Sequence, residues 1–120
     1  MIYGIGTDLV EVNRVLKACD KQAFLNRIFT LSEKELILKD KRKAPGNFAV
    51  KEAVVKMFGT GFRQVSPNHI EVLRDELGKP FVNLYDAALH YAKQAGITKI
   101  HVSISNTKEY ASAYVVGEIL

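Results

Sequence analysis

The sequence contains a single cysteine, Cys19, so no disulfide bond can form within the chain. Its cysteine and histidine residues show no zinc-ligand spacing, which argues against a structural zinc site. No apolar run reaches the roughly 20 residues that a membrane-spanning helix needs. The N-terminus has no basic region ahead of an apolar stretch. We therefore predict no signal peptide, no membrane partner and a cytoplasmic protein.

The composition is that of one ordinary globular domain. Hydrophobic residues make up 48% of the chain and charged residues 25%, a balance that argues against intrinsic disorder. A chain of 120 residues is long enough for one hydrophobic core and too short for two independent ones. We therefore expect a single domain over residues 1–120.

Positive charge is concentrated in the first half of the chain. The net charge is +4, and residues 1–56 contain eleven Lys and Arg against seven Asp and Glu, whereas the remaining residues contain six of each. A basic face of this kind suggests an acidic partner, such as a nucleotide, a nucleic acid or an acidic protein. The alternative is a solvated helical surface that has no partner.

The hydrophobic periodicity predicts an α+β fold with a mainly antiparallel sheet. Strands are expected over residues 2–7, 69–74, 81–84, 99–105 and 110–119, and helices between 10 and 43 and over 47–58 and 86–94. In the longest helix, the core-facing positions are predicted to be Val50, Ala53, Val54 and Met57.

Local signals predict where the helices begin and end. Ser32 with Glu35 forms a capping-box pattern. Residues 41–46 are basic and end in Pro-Gly, which predicts a loop, with Asn47 as the N-cap of the next helix. Gly59 is expected to end that helix.

Two acidic residues are candidates for chemistry. Asp8 follows two glycines at the predicted end of the first strand, where the backbone can pass close to a ligand. Glu52 shares a helical stripe with Phe48 and Lys56. Two carboxylates from separate elements suit Mg²⁺ when phosphate oxygens and water complete its coordination. The alternatives are a turn or cap role for Asp8 and an exposed Glu52–Lys56 pair.

Small and polar residues mark two further candidate positions. A helix C-cap explains Gly59, whereas close backbone approach to a phosphate or pantetheine chain would also explain Gly61. Asn106 and Thr107 lie at the end of a predicted strand, where ligand contacts are common.

Four stretches taken together resemble the bacterial holo-acyl-carrier-protein synthases of the 4′-phosphopantetheinyl transferase superfamily. They are GIGTDLVEVNRV at 4–15, FAVKEAVVKMFGTG at 48–61, LGKP at 77–80 and HVSISNTKEYASAYVV at 101–116. The resemblance implies transfer of 4′-phosphopantetheine from coenzyme A to a serine of apo-acyl carrier protein. Mg²⁺ would be the cofactor, and adenosine 3′,5′-bisphosphate would be released. It also implies helices packed on one side of the sheet and a homotrimer with interfacial active sites.

The resemblance implies roles for individual residues. Asp8 and Glu52 stand where the family keeps its metal carboxylates. Lys56 would lie near the scissile pyrophosphate, where it steadies developing charge or relays a proton. Besides Lys56, the implied coenzyme-binding residues are Lys41, Arg42, Gly59, Thr60, Gly61, Lys79, Pro80, Ser105, Asn106 and Thr107. The residues expected to face the acidic carrier protein are Arg14, Lys17, Lys21 and Arg27.

Two departures from the family pattern fall in the implied coenzyme site. Asn106 stands where the family commonly has His or Asp, and Asn47, in APGNF, replaces the arginine of the usual LAGRF. Weaker coenzyme binding would leave a relative that binds carrier protein without transferring the group. A nucleic-acid-binding module that uses the basic face is the other alternative. Against it, the predicted sheet lacks the exposed aromatic pairs of an RNA-recognition platform.

Overall fold

Two antiparallel sheets and five α-helices make up the fold, which confirms the predicted α+β class. The computed structural model describes residues 1–120. The strands are β1 (Ile2–Glu11), β2 (Ile70–Arg74), β3 (Pro80–Leu84), β4 (Lys99–Asn106) and β5 (Tyr110–Glu118). The helices are α1 (Val12–Ala18), α2 (Gln22–Ile28), α3 (Leu31–Lys39), α4 (Lys43–Phe58) and α5 (Asp86–Ala95). None of the helices has the length and hydropathy of a membrane-spanning segment.

The larger sheet has the strand order β1-β5-β4, and β2 pairs only with β3 in a separate hairpin. Helix α4 lies across the inner face of the larger sheet and packs against all of its strands. The four positions predicted to face the core, Val50, Ala53, Val54 and Met57, are at most 4% exposed. Gly59 ends α4 in the left-handed conformation, with φ of 86°, as predicted.

The backbone of α4 approaches β1 most closely at Gly6. A Cβ atom at Gly6 would lie 1.9 Å from the carbonyl oxygen of Ala53, a separation that no side chain can occupy. A Cβ atom at Gly4 would lie 3.0 Å from the Met57 carbonyl oxygen, which is tight but less severe. The two glycines were expected to let a ligand approach the backbone, whereas in the structure they let the backbone of α4 approach β1.

The predicted end of the first strand and the predicted capping box were wrong. β1 continues to Glu11, so Asp8 lies within the strand and not after it. The capping box is formed by Thr30, whose side chain accepts a hydrogen bond from the Glu33 amide, and by Glu33, whose side chain accepts one from the Thr30 amide. The predicted box at Ser32 fits the same sequence pattern but begins inside α3.

The loop predicted over residues 41–46 was also wrong beyond its first residues, because α4 begins at Lys43. Pro45 falls in the first helical turn, where the missing N–H has no partner to lose. Asn47 is therefore an interior residue of α4 and not its N-cap, and it is completely buried.

The outer face of the larger sheet is exposed and partly apolar. Ile5 and Leu9 on β1 are 72% and 64% exposed, and Tyr114 on β5 is 57% exposed. These side chains alternate with residues that face α4, as expected for strands with one packed face.

Substitution of Gly6 by Ala is expected to lower the free energy of unfolding by about 3 kcal/mol, because the added methyl group pushes α4 away from β1. Gly4→Ala serves as the matched control and is expected to cost about 1 kcal/mol, because the contact at that position is less severe. Urea denaturation measures both. Equal losses for the two variants would contradict the proposed packing constraint.

Candidate active site

An ion pair joins Asp8 on β1 to Lys56 on α4. Asp8 lies opposite Ala113 of β5 in the sheet register, on the face that carries α4. Lys56 Nζ lies 3.0 Å from Asp8 Oδ1 and also donates a hydrogen bond to the Thr7 carbonyl oxygen at 3.1 Å. The Asp8 side chain is 15% exposed and that of Lys56 is 55% exposed. The pair therefore sits at the solvent-facing edge of the helix–sheet interface.

Glu52 lies one turn before Lys56 on the same stripe of α4 and is half-buried. Burial raises the pKa of Glu52, and the negative charge of Asp8 raises it further, while Lys56 acts in the opposite direction. The negative charge of Asp8 on β1 thus opposes ionisation of Glu52 on α4. Because Lys56 pairs with Asp8, the exposed Glu52–Lys56 pair considered as an alternative is not formed.

The donor chemistry of Asp8 and Glu52 fits Mg²⁺. The chain has no cluster of three or more acidic, histidine or cysteine side chains, so it would supply two carboxylates and no more. Mg²⁺ is commonly held by one or two carboxylates, with water and phosphate oxygens in its other positions. A divalent cation would also relieve the repulsion that raises the pKa of Glu52.

The loop after α4 presents open space beside Lys56. Gly59 and Gly61 both have positive φ, and a Cβ atom at either position would meet no atom within 4 Å. The conformation of the loop, and not contact with the rest of the chain, therefore accounts for both glycines. Between them, the Thr60 hydroxyl donates a hydrogen bond to the Gly61 carbonyl oxygen at 2.8 Å.

A cleft of about 690 Å³ opens near the first turns of α4. Four of the predicted coenzyme-binding residues line this cleft: Arg42, Pro80, Asn106 and Thr107. Lys41 and Lys79 are neighbours of these residues in sequence but are not part of the lining. The predicted coenzyme-binding residues thus form two groups, one in the cleft and one, Lys56 with Gly59–Gly61, at the far end of α4.

Ser105 belongs to neither group. Side chains alternate between the two faces of a strand, and Asn106 faces the cleft and α4. Ser105 therefore projects from the outer face of the sheet, opposite Ser112 in the register. The structure does not bring Ser105 together with the other predicted coenzyme-binding residues.

Three cations in the cleft were not selected from the sequence, namely Lys43, Arg74 and Lys108. Arg42 pairs with Asp40 at 3.1 Å, whereas Arg74 forms no ion pair and donates one hydrogen bond, to the Leu73 carbonyl oxygen at 3.4 Å. Burial lowers the pKa of Arg74. Arg74 could have been identified from the predicted hairpin, because it lies opposite Pro80 of the LGKP motif when the two strands pair.

Asn47, which replaces an arginine of the family pattern, takes no part in the cleft. Its side-chain amide donates hydrogen bonds to Glu33 Oε2 at 3.0 Å and to the Val72 carbonyl oxygen at 2.9 Å. The cleft has two guanidinium groups, those of Arg42 and Arg74, and Arg74 is the more buried of the two.

The four cations predicted to face a carrier protein lie together. A groove of about 490 Å³ between α1 and α2 is lined by Arg14, Lys17, Lys21 and Arg27. Phe24 and two alanines complete its lining. An adjoining pocket of about 480 Å³ shares Arg14 and Phe24 with the groove and is mostly apolar. Positive charge and apolar surface are thus adjacent.

Comparisons with known proteins identify the family of the chain. The sequence profile of the 4′-phosphopantetheinyl transferase superfamily matches residues 4–115. The chain is 64% identical to the holo-[acyl-carrier-protein] synthase of Lachnoclostridium phytofermentans, over 100% of this chain and 98% of that protein.

Two solved structures share the fold. The holo-[acyl-carrier-protein] synthase of Neisseria meningitidis has a TM-score of 0.88 and 36% identity, over 98% of this chain and 99% of that one. The Bacillus anthracis enzyme in complex with CoA (3′,5′-ADP) has a TM-score of 0.82 and 36% identity, over 100% and 99% of the two chains.

Replacement of Glu52 by Gln is expected to raise the free energy of unfolding at pH 7. The raised pKa means that the folded state resists ionisation of Glu52, so native stability falls as pH rises from the ordinary glutamate value through the folded one. The neutral amide removes that cost. Below about pH 4 the gain should vanish, because Glu52 is then protonated in both states.

Urea denaturation at the two pH values measures the difference, and Glu35→Gln on the exposed face of α3 is the control. A Glu52→Gln gain of equal size at both pH values would show that the effect does not come from ionisation.

Proposed function

Because this chain belongs to the 4′-phosphopantetheinyl transferase superfamily and is an enzyme of its holo-acyl-carrier-protein synthase group, we propose the following reaction. As a single domain of residues 1–120 in the cytoplasm, it transfers 4′-phosphopantetheine from coenzyme A to a serine of apo-acyl carrier protein. The reaction depends on Mg²⁺ and releases adenosine 3′,5′-bisphosphate.

The observation that carries the proposal is the meeting of Asp8, Glu52 and Lys56. Asp8 and Lys56 are 48 residues apart in sequence, yet their side chains are in contact, with Glu52 beside them. A carboxylate pair next to an ammonium group and an open glycine loop suits a pyrophosphate substrate.

In the proposed reaction the serine hydroxyl oxygen bonds to the phosphorus that carries pantetheine, and the bond from that phosphorus to the bridging pyrophosphate oxygen breaks. The bridging oxygen and the bonding electron pair leave with adenosine 3′,5′-bisphosphate, and the serine proton passes to solvent water. Asp8 and Glu52 would hold Mg²⁺, which neutralises pyrophosphate charge when bound. The exposed ammonium of Lys56 steadies the negative charge that grows on the departing phosphate. The loop of Gly59, Thr60 and Gly61 leaves room for the coenzyme chain beside them.

The cleft would receive the remaining phosphate of coenzyme A. Its cations, led by Arg42 and Arg74, match a phosphate monoester in charge, and Asn106 and Thr107 offer hydrogen bonds. Lys41 and Lys79 would add long-range attraction from the rim. Asn106 cannot carry a charge, and this departure from the family pattern would weaken the binding of coenzyme A. The positive charge of Arg74 in the same cleft would compensate for that loss.

We also propose a homotrimer in which each active site lies between two subunits. The two groups of coenzyme residues lie at opposite ends of α4, a helix of 16 residues. Such a helix is about 24 Å long. In the trimer, the cleft of one subunit would lie beside the Lys56 and glycine-loop end of its neighbour, so that both groups contact one coenzyme molecule. The exposed apolar side chains of the outer sheet face would be covered in the assembly.

Sedimentation velocity should therefore detect a species of three 13.4 kDa chains. Tyr114→Glu is expected to dissociate it and to abolish transfer, because a charge then replaces apolar surface on the outer face. A native enzyme that sediments as one chain and is fully active would overturn the trimer.

Transfer is tested by intact-mass spectrometry of apo-acyl carrier protein incubated with the enzyme, coenzyme A and Mg²⁺. A gain of one phosphopantetheinyl group is expected, and EDTA should abolish it. Asp8→Asn and Glu52→Gln should each lower kcat by at least about 100-fold while the fold is retained. Near-native activity of either variant would refute the carboxylate assignment.

Failure of the wild-type chain to transfer, with carrier binding retained, would identify a relative that only binds. Salt-sensitive oligonucleotide affinity without coenzyme binding would instead favour the nucleic-acid alternative.

Charge reversal in the groove should weaken carrier binding. Lys17→Glu with Lys21→Glu is expected to raise KM for carrier protein about tenfold, with kcat and KM for coenzyme A unchanged, because an acidic partner loses attraction. The matched control is Lys93→Glu on α5, which lies outside the groove. The difference should shrink as salt rises. An equal effect of the control would place the carrier elsewhere.

A further inference from the structure

A buried polar network holds the side of α4 that faces away from the larger sheet. Lys51 and Glu33 are both fully buried, and Lys51 Nζ lies 2.7 Å from Glu33 Oε1. Lys51 also donates hydrogen bonds to the carbonyl oxygens of Pro67, at 3.0 Å, and Ile70. A charged side chain of α4 is thus bound to α3 and to the segment that leads into β2.

Asn47 extends the network by one helical turn. Its amide donates to Glu33 Oε2 and to the Val72 carbonyl oxygen, while the Val72 amide donates to the same Glu33 oxygen at 3.2 Å. The Glu33 carboxylate therefore joins α3, α4 and β2. Lys51 and Asn47 are buried on one stripe of α4, and neither contacts the candidate catalytic groups.

The network and the sheet contact act on opposite sides of α4. Lys51 and Ala53 are two residues apart, which turns an α-helix by about 200°. Contacts between small side chains and glycines set how close the helix lies to the sheet, but they are non-directional. Hydrogen bonds are directional, so the network can set the rotation of α4 about its own axis.

That rotation matters for the stripe that carries Glu52 and Lys56. Side chains extend about 5–6 Å from the helix axis, so a rotation of about 10° moves their ends by about 1 Å. A misplacement of that size can lower a rate by about 100-fold.

We infer that the Glu33–Lys51–Asn47 network is a positioning device that aims Glu52 and Lys56 at Asp8. The inference rests on the proposed metal-dependent transfer. A buried ion pair is often no more stabilising than apolar side chains of similar volume, so stability alone does not account for this one. Its three residues are positioning residues and contact no substrate.

The decisive variant is the double substitution Glu33→Met with Lys51→Met. It removes both charges together, so no unpaired charge is left buried. Because the Thr30 and Val72 amides and the Pro67 carbonyl oxygen lose a partner, the unfolding midpoint should fall, and the destabilisation control described below separates that fall from an effect on positioning. The dissociation constant for Mn²⁺, measured by electron paramagnetic resonance without coenzyme, should rise about tenfold. The value of kcat should fall at least tenfold, with KM for carrier protein unchanged.

Asn47→Leu provides a second test that leaves the ion pair in place, and it decides the question if the double variant does not fold. It should shift Mn²⁺ affinity and kcat in the same directions. Ile97→Ala is the control for destabilisation, because Ile97 is buried in the core and outside the network. It should lower the unfolding midpoint and leave Mn²⁺ affinity unchanged.

Native Mn²⁺ affinity and kcat in a folded network variant would overturn the inference and leave the proposed function intact. Glu52→Gln shows whether the Mn²⁺ signal comes from the proposed site. Absence of Glu52-dependent Mn²⁺ binding in the native chain would instead refute the metal assignment, and the inference would fall with it.

Discussion

The contact between the α4 backbone and Gly6 of β1 is the constraint on which the rest of the structure depends. It brings the helix to a distance that any side chain at position 6 would prevent. Asp8 lies two residues further along the same face of β1, and Ala53 lies between Glu52 and Lys56 in sequence. The contact that packs the core therefore also places the acidic and basic groups of the candidate active site side by side.

Helix α4 is held from opposite sides by different kinds of interaction. Its sheet-facing side is apolar and packs closely against glycines of the sheet, whereas the other side carries Asn47 and Lys51, both fully buried. Burial of polar groups is costly unless they are hydrogen-bonded. Here both side chains donate to Glu33 and to backbone carbonyl oxygens, and Asn47 Oδ1 alone has no partner. Glu52 and Lys56 lie along the remaining edge, which is open to solvent.

The chemistry is distributed over surfaces that one chain keeps apart. The carboxylate pair and the glycine loop lie at the C-terminal end of α4, the cationic cleft lies near its N-terminal end, and the basic groove lies between α1 and α2. Each surface suits one part of the proposed reaction: pyrophosphate, the second phosphate of the coenzyme, and the acidic carrier. The exposed apolar face of the sheet supports an assembly that would unite them.

The sequence by itself determined the types and order of the elements, the core positions of α4 and the end of that helix at Gly59. These features follow from periodicity and glycine conformation, which are local properties. It did not distinguish Thr30–Glu33 from Ser32–Glu35 as the capping box, because both fit the same pattern. Only the tertiary structure decided that choice, because Glu33 has Lys51 and Asn47 as buried partners. Hydrogen bonds to Glu33 and to the Val72 carbonyl oxygen likewise hold Asn47 in the interior of α4. Arg74 joined the cleft through strand pairing, and the meeting of Asp8 with Lys56 required a packing contact between residues 48 apart.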